Sequence, residues 1–137
     1  MLLLENLNWE PVLAEVNYLP VTPAECRYYF AQLPSSALKW SFTANHAHFL
    51  PGVGISDFID QMDFSLCREV RLADNNGSYE IHQKPGDGTI DFGALFKKIE
   101  GLGYTGHYTN GFGTLQDMLD GRDHMIERAK EAGVNTT

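Results

Sequence analysis

Four times along this chain, a short strand-like run is followed by a loop and then by a helical pattern. Such alternation predicts parallel strands joined by helical crossovers. Leu2-Leu3-Leu4 is a continuous apolar run, as expected of a strand buried on both faces. A long polar loop follows, through Asn6, Asn8 and Trp9 to Pro20. Thr22-Pro23-Ala24-Glu25 then supplies an N-cap, a proline at the first helical position and a capping-box Glu. Cys26, Tyr29, Phe30 and Leu33 form one apolar stripe, ended by Pro34.

In the second unit Leu38, Trp40 and Phe42 alternate with Lys39, Ser41 and Thr43. A loop from Asn45 to Gly54 follows, and Ser56 is read as the cap of a short helix carrying Phe58, Ile59 and Met62. The third strand is read at residues 69–73 and its loop at 74–89. Phe92, Leu95, Phe96 and Ile99 then make a second helical stripe, closed by Gly101. The fourth strand lies around His107-Tyr108-Thr109. Thr114-Leu115-Gln116-Asp117 opens a helix with Met118, Leu119, Met125, Ile126 and Ala129 on its apolar positions, stopped by Gly133.

Four parallel strands can form a small open sheet. Loop lengths favour a barrel instead, because the strand-to-helix loops are long or polar while links such as Pro34-Ser35-Ser36 are short. Barrels place their chemistry at the carboxy ends of strands. At 137 residues the chain suits one domain, residues 1–137, and is shorter than the roughly 250 residues of a complete (β/α)₈ barrel.

Composition excludes some functions. A net charge of −8 with scattered Lys and Arg argues against a nucleic-acid backbone as partner. No apolar run reaches the ~20 residues of a membrane span, and Glu5 interrupts Leu2–Leu4 too early for a signal peptide. Cys26 and Cys67 lack metal or redox spacing and are read as buried thiols of a cytoplasmic protein.

Chemistry-bearing residues gather where strands end. Glu5 can ligate a cation, move a proton or sit in a salt bridge. His46 and His48 share a face if their strand continues, forming a metal pair or a hydrogen-bonded one. Arg71 can clamp an anion or pair with Asp74. Glu80 and His82, two residues apart, can share a metal or fix a sugar hydroxyl. Gly86 and Gly88 can present amides to an anion, and the Asn110–Gly113 loop before Thr114 can hold a phosphate at a helix start or simply turn the chain.

In order, these segments resemble one family. Leu3-Leu4-Glu5-Asn6-Leu7 resembles the Glu-bearing strand of the sugar isomerases and epimerases related to xylose isomerase and to endonuclease IV. Phe42-Thr43-Ala44-Asn45-His46-Ala47 is similar to its Asp-x-x-His-Ala strand, and Arg71-Leu72-Ala73-Asp74-Asn75 to its His-x-x-Asp strand. The stretch from His82 to Phe92 resembles its His-x-x-x-Gly-Glu-Gly-x-Ile-Asp-Phe loop, and Gly103-Tyr104-Thr105-Gly106-His107 its lead into the final strand.

The resemblance implies the carboxy-terminal half of a (β/α)₈ barrel, strands five to eight, with a sugar-like ligand at the strand ends. It implies a divalent cation (Mn²⁺, Mg²⁺ or Zn²⁺) held by a Glu, an Asp, a His and a last Glu. Here Glu5 matches the first, whereas Thr43, Arg71, and Asn110 or Gly111 occupy the other positions. His46 matches a family His, and Glu80 with His82 resembles the Asp-x-His pair of the endonuclease branch. The expected alternative metal set is therefore Glu5, His46, Glu80 and His82. The expected activity is isomerisation or epimerisation of a sugar, sugar phosphate or polyol by proton transfer. Glu5 and His46 would be catalytic, and Arg71, Asp74, His82 and Asn110 would bind substrate. A metal-free sugar-binding member or subunit is the alternative, and lyase or hydrolase chemistry a third. The missing strands would come from a second copy or a complementary chain, unless the sequence is a fragment of a longer one.

Overall fold

The computed structural model describes residues 1–10 and 18–136. Its strands are β1 (Leu2–Glu5), β2 (Leu38–Thr43), β3 (Cys67–Arg71) and β4 (His107–Thr109). Its helices are α1 (Pro23–Gln32), α2 (Ala44–His48), α3 (Ile55–Asp60), α4 (Phe92–Gly101) and α5 (Leu115–Glu131), with a 3₁₀ turn at Phe64–Leu66. The sheet runs β1-β2-β3-β4 with all three pairings parallel, as the alternation predicts. Of the long loop between β1 and α1, residues 11–17 lie outside the described residues.

The pleat sends alternate side chains to opposite faces. Trp40, Phe42 and Val70 are fully buried, in one apolar cluster with Phe58, Ile59, Phe92, Leu95, Ile99 and Met125 from the helices. Trp40 lies 5.1 Å from Phe42 and 5.4 Å from Phe64 between ring centroids, within the range where aromatic pairs add to area burial. Each such ring stabilises the fold by about 2–3 kcal/mol through burial alone.

The other face is polar. Register puts Glu5 beside Ser41, Ser41 beside Glu69, and Glu69 beside His107, with Thr43, Arg71 and Thr109 in the next row. A register shift between Trp40 and Ser41 absorbs one extra residue, Arg68. Without that shift, Arg68 rather than Glu69 would stand opposite Ser41, and the whole polar row would turn over.

Both capping boxes form: Thr22 with Glu25, and Thr114 with Asp117. The Asp117 carboxyl sits below its usual range because Thr114 donates both its hydroxyl and its backbone N–H to it. Four expectations need correction. The chain turns helical at Ala44, so His46 and His48 are not on one strand face; two residues on a helix are about 200° apart. The cap of α3 is Gly54, whose φ of 78° a side chain would resist, and Ser56 accepts a hydrogen bond from Lys98. Strand β3 spans Cys67–Arg71 rather than 69–73. In the α1 stripe only Cys26 is buried, and Leu33 stays exposed, because α1 flanks the unpaired edge strand.

Cys26 and Cys67 are free and buried, and burial pushes their thiols up to about 12 and about 11. Among the described residues no helix is long and apolar enough to cross a membrane.

Candidate active site

Glu5 is the last residue of β1, and its carboxylate spans the neighbouring strand ends. Oε1 accepts from the Thr43 hydroxyl at 2.6 Å, and Oε2 from Arg71 Nη1 at 2.7 Å. Asn6 locks the geometry below. It donates to the Thr43 carbonyl and accepts the Thr43 N–H, at 3.0 and 2.9 Å, continuing the β1–β2 pairing with a side chain. Fully buried, Asn6 is a positioning residue that sequence reasoning passed over; its only signal was a polar residue directly following a strand.

The turn into α2 brings His46 inward, where it is buried. Its Nδ1 lies 2.8 Å from the Asn6 carbonyl. A carbonyl only accepts, so Nδ1 carries the hydrogen, and in the neutral ring the lone pair lies on Nε2. That Nε2 faces Glu80 Oε1 at 3.3 Å, and Nδ1 is 3.9 Å from Glu5 Oε1. His82 Nε2 approaches the same Glu80 oxygen at 2.6 Å. Asn45 Nδ2 approaches it at 3.4 Å, while Glu80 Oε2 is buried with no hydrogen-bond partner among the described residues. His82 stacks on Phe112 with ring centroids 4.1 Å apart. Burial holds His82 below the usual imidazole range; the Glu80 charge opposes this, and His46 and Arg71 reinforce it.

Glu5, His46, Arg71, Glu80 and His82 are therefore gathered by a continuous chain of contacts at one rim of the sheet. Two other expectations end differently. Asp74 does not pair with Arg71. Its Oδ1 accepts the N–H groups of Asn75 and Ile90, and its Oδ2 those of Gly86 and Gly88. The anion held by those glycine amides is thus the protein's own, leaving Asp74 buried and spent on the loop rather than offered to a substrate. A Cβ at Gly88 would fall 2.4 Å from Asp74 Oδ1, so the wrap requires glycine there. Asn110 gives its amide N–H to the Met118 carbonyl, and its buried Oδ1 has no hydrogen-bond partner among the described residues. The start of α5 beyond it is already capped by Asp117. His48 binds the Thr89 hydroxyl, away from His46's partners.

The cation positions implied by the resemblance do not suit an ion. A guanidinium rests on Glu5, the Thr43 hydroxyl spends its hydrogen on the same carboxylate, and the Asn110 amide is turned to the backbone. His46, Glu80 and His82 do suit one. Their ligand atoms lie within 4.8 Å of one another, and Glu80 Oε2 has no hydrogen-bond partner among the described residues. A backbone-anchored imidazole is also how histidine ligands are usually oriented.

The chain matches no sequence-family model and no curated protein. Among solved structures it superposes on a D-tagatose 3-epimerase-like protein with a TM-score of 0.82 and 22% identity, covering 96% of this chain and 47% of that one. It also superposes on the apo form of a 3-keto-D-glucoside 4-epimerase from E. coli, with a TM-score of 0.67 and 20% identity, covering 93% and 45%. These likenesses establish the fold: four parallel βα units of the (β/α)₈-barrel kind. The chain spans about half the length of each of those proteins.

Proposed function

We propose that this chain carries the catalytic rim of an isomerase or epimerase acting on a sugar, polyol or related hydroxy-carbonyl. The observation that supports this best is the Glu5 carboxylate, held from two sides by Thr43 and Arg71 and standing beside His46. A carboxylate so fixed can take a proton from the carbon beside a carbonyl and return it, on the same or the neighbouring carbon. Arg71 would polarise the carbonyl oxygen meanwhile, and the ring of His46, its Nδ1–H spent on the Asn6 carbonyl, would act through Nε2. His46, Glu80 and His82 would hold a divalent ion, with two imidazoles and a carboxylate suiting Zn²⁺ best. When bound, that ion would supply Lewis-acid polarisation.

The test is exchange of substrate C–H protons with D₂O, followed by NMR on a panel of ketoses and aldoses, with metal content measured on the same sample. Glu5→Gln should slow exchange by about 10²–10⁴-fold, and Glu80→Gln should lower the bound metal. Exchange that persists in Glu5→Gln would remove Glu5 as the base.

A second reading is a sugar-binding subunit without catalysis. It is favoured by the fact that Glu5 has a donor on each oxygen. Ligand binding without any proton exchange would select it. On either reading we take the completing strands to come from a second copy or a complementary chain, beside the exposed β1 edge where Leu2 is 71% exposed. The cytoplasm is the compartment in which two unpaired thiols persist.

A further inference from the structure

Arg71 has a hydrogen-bonding capacity that its role as Glu5's partner does not use. Among the described residues, Nη1 is the only guanidinium nitrogen with a protein hydrogen bond, and the side chain is 36% exposed at the rim. The group cannot act as an acid or base, since it stays protonated throughout the accessible pH range. What it offers is a rigid planar fork of N–H donors, which fits two oxygens held in one plane.

We propose that Arg71 determines specificity at this rim. Its guanidinium, anchored on Glu5, stands as a tethered cation where the resemblance implies a divalent ion. Its free N–H groups grip the adjacent oxygens of an uncharged α-hydroxy-carbonyl ligand. This rests on the isomerase reading and narrows it. In such a ligand the hydroxyl and carbonyl oxygens can lie cis and coplanar, and the double bond of a cis-enediolate holds them so. A polyol has no such fixed pair. An ion at Glu5 would have to approach a guanidinium only 2.7 Å from the carboxylate oxygen, so the two cations exclude one another. The rim carries two carboxylates and one guanidinium: Glu5 is paired with Arg71, and Glu80 is set between His46 and His82. With no ion bound, the carboxylates outnumber the guanidinium two to one, which disfavours a phosphate or carboxylate on the ligand in the presence of EDTA.

The experiment is an NMR titration of the full chain with dihydroxyacetone, its phosphate ester, and glycerol, each with and without EDTA. Dihydroxyacetone should bind equally with and without the chelator, and in its presence more tightly than the other two. Arg71→Lys, which keeps the charge but loses the fork, should weaken dihydroxyacetone about tenfold while leaving glycerol unchanged. The Arg71 side-chain ¹⁵N signals of the unmodified protein should move with dihydroxyacetone, a readout that needs no variant to fold. Any of four results overturns the proposal: no dihydroxyacetone binding, loss of binding in EDTA, equal affinity in Arg71→Lys, or tighter binding of the phosphate ester in EDTA. Binding as described without C–H exchange defeats the isomerase reading and leaves this one standing. Exchange that continues while Arg71→Lys binds normally does the reverse.

Discussion

The two faces of this one sheet are built on opposite rules. On the helix side Trp40, Phe42 and Val70 are fully buried among aromatic and aliphatic neighbours. On the other side Glu69 accepts from the Ser41 and Thr109 hydroxyls, and Glu5 accepts from the Thr43 hydroxyl and the Arg71 guanidinium. Barrel interiors are usually packed with branched apolar side chains. Here the inward face is polar from Ser41 to the rim, so its residues can be satisfied by water or by a hydroxylated ligand. The apolar face carries the stability and the polar face is free to carry chemistry.

The sharpest way to break that comparison is Phe42→Ala. It leaves a void beside Trp40 and Phe58, against which Phe42 packs with centroids 5.1 and 5.8 Å away. The expected loss is about 3–5 kcal/mol, read from the shift of the urea midpoint. A loss below about 1 kcal/mol would mean that the helix layer is not tightly packed on the sheet.

Asp74→Ala should come next, at about 3 kcal/mol, because four backbone N–H groups lose a buried anionic acceptor at once. The same substitution should loosen the stretch from Gly86 to Ile90, which the carboxylate ties to the end of β3, while the backbone bridge between Asp74 and Gln83 stays in place. Amide hydrogen exchange at Gly86, Gly88 and Ile90 should rise along with it. Unchanged protection there would show that the loop is held by something other than Asp74.

How far the sequence reveals all this depends on the range of the interaction. The capping boxes at Thr22 and Thr114 link residues three apart, and the alternation of Leu38, Trp40 and Phe42 with Lys39, Ser41 and Thr43 spans six, so both were legible. Glu5, His46 and His82 were found because strand ends are where barrels keep polar groups. The grouping of His46 with Glu80 and His82 was legible too, but the Glu5–Arg71 and His46–Asn6 contacts were not, because they reach across 66 and 40 positions. The turn of α2 directly out of β2 defeated the period-two reading of His46 and His48. Asp74 was misread for a related reason: the amides it binds lie as far as 16 residues downstream. No short-range pattern announces a carboxylate turned back onto its own loop.

The smallest effect is the most telling about the polar face. Ser41 is the immediate neighbour of Phe42 in sequence and donates to Glu69 Oε2 at 2.8 Å. Glu69 also approaches the Thr109 hydroxyl and is partly open, so water can replace the lost donor. Ser41→Ala should therefore cost below about 1 kcal/mol, several times less than Phe42→Ala one residue away. That ratio holds only while the inner face is hydrated. If a second copy or complementary chain closes over it, Glu69 becomes a buried carboxylate short of a donor, and the Ser41→Ala cost should climb toward about 3 kcal/mol. Measuring the substitution alongside light scattering ties the two together. A small cost in a particle of one chain's mass means an open polar face, and a large cost in a particle of twice that mass means a closed one. A large cost in a single-chain particle would contradict the division between the faces itself.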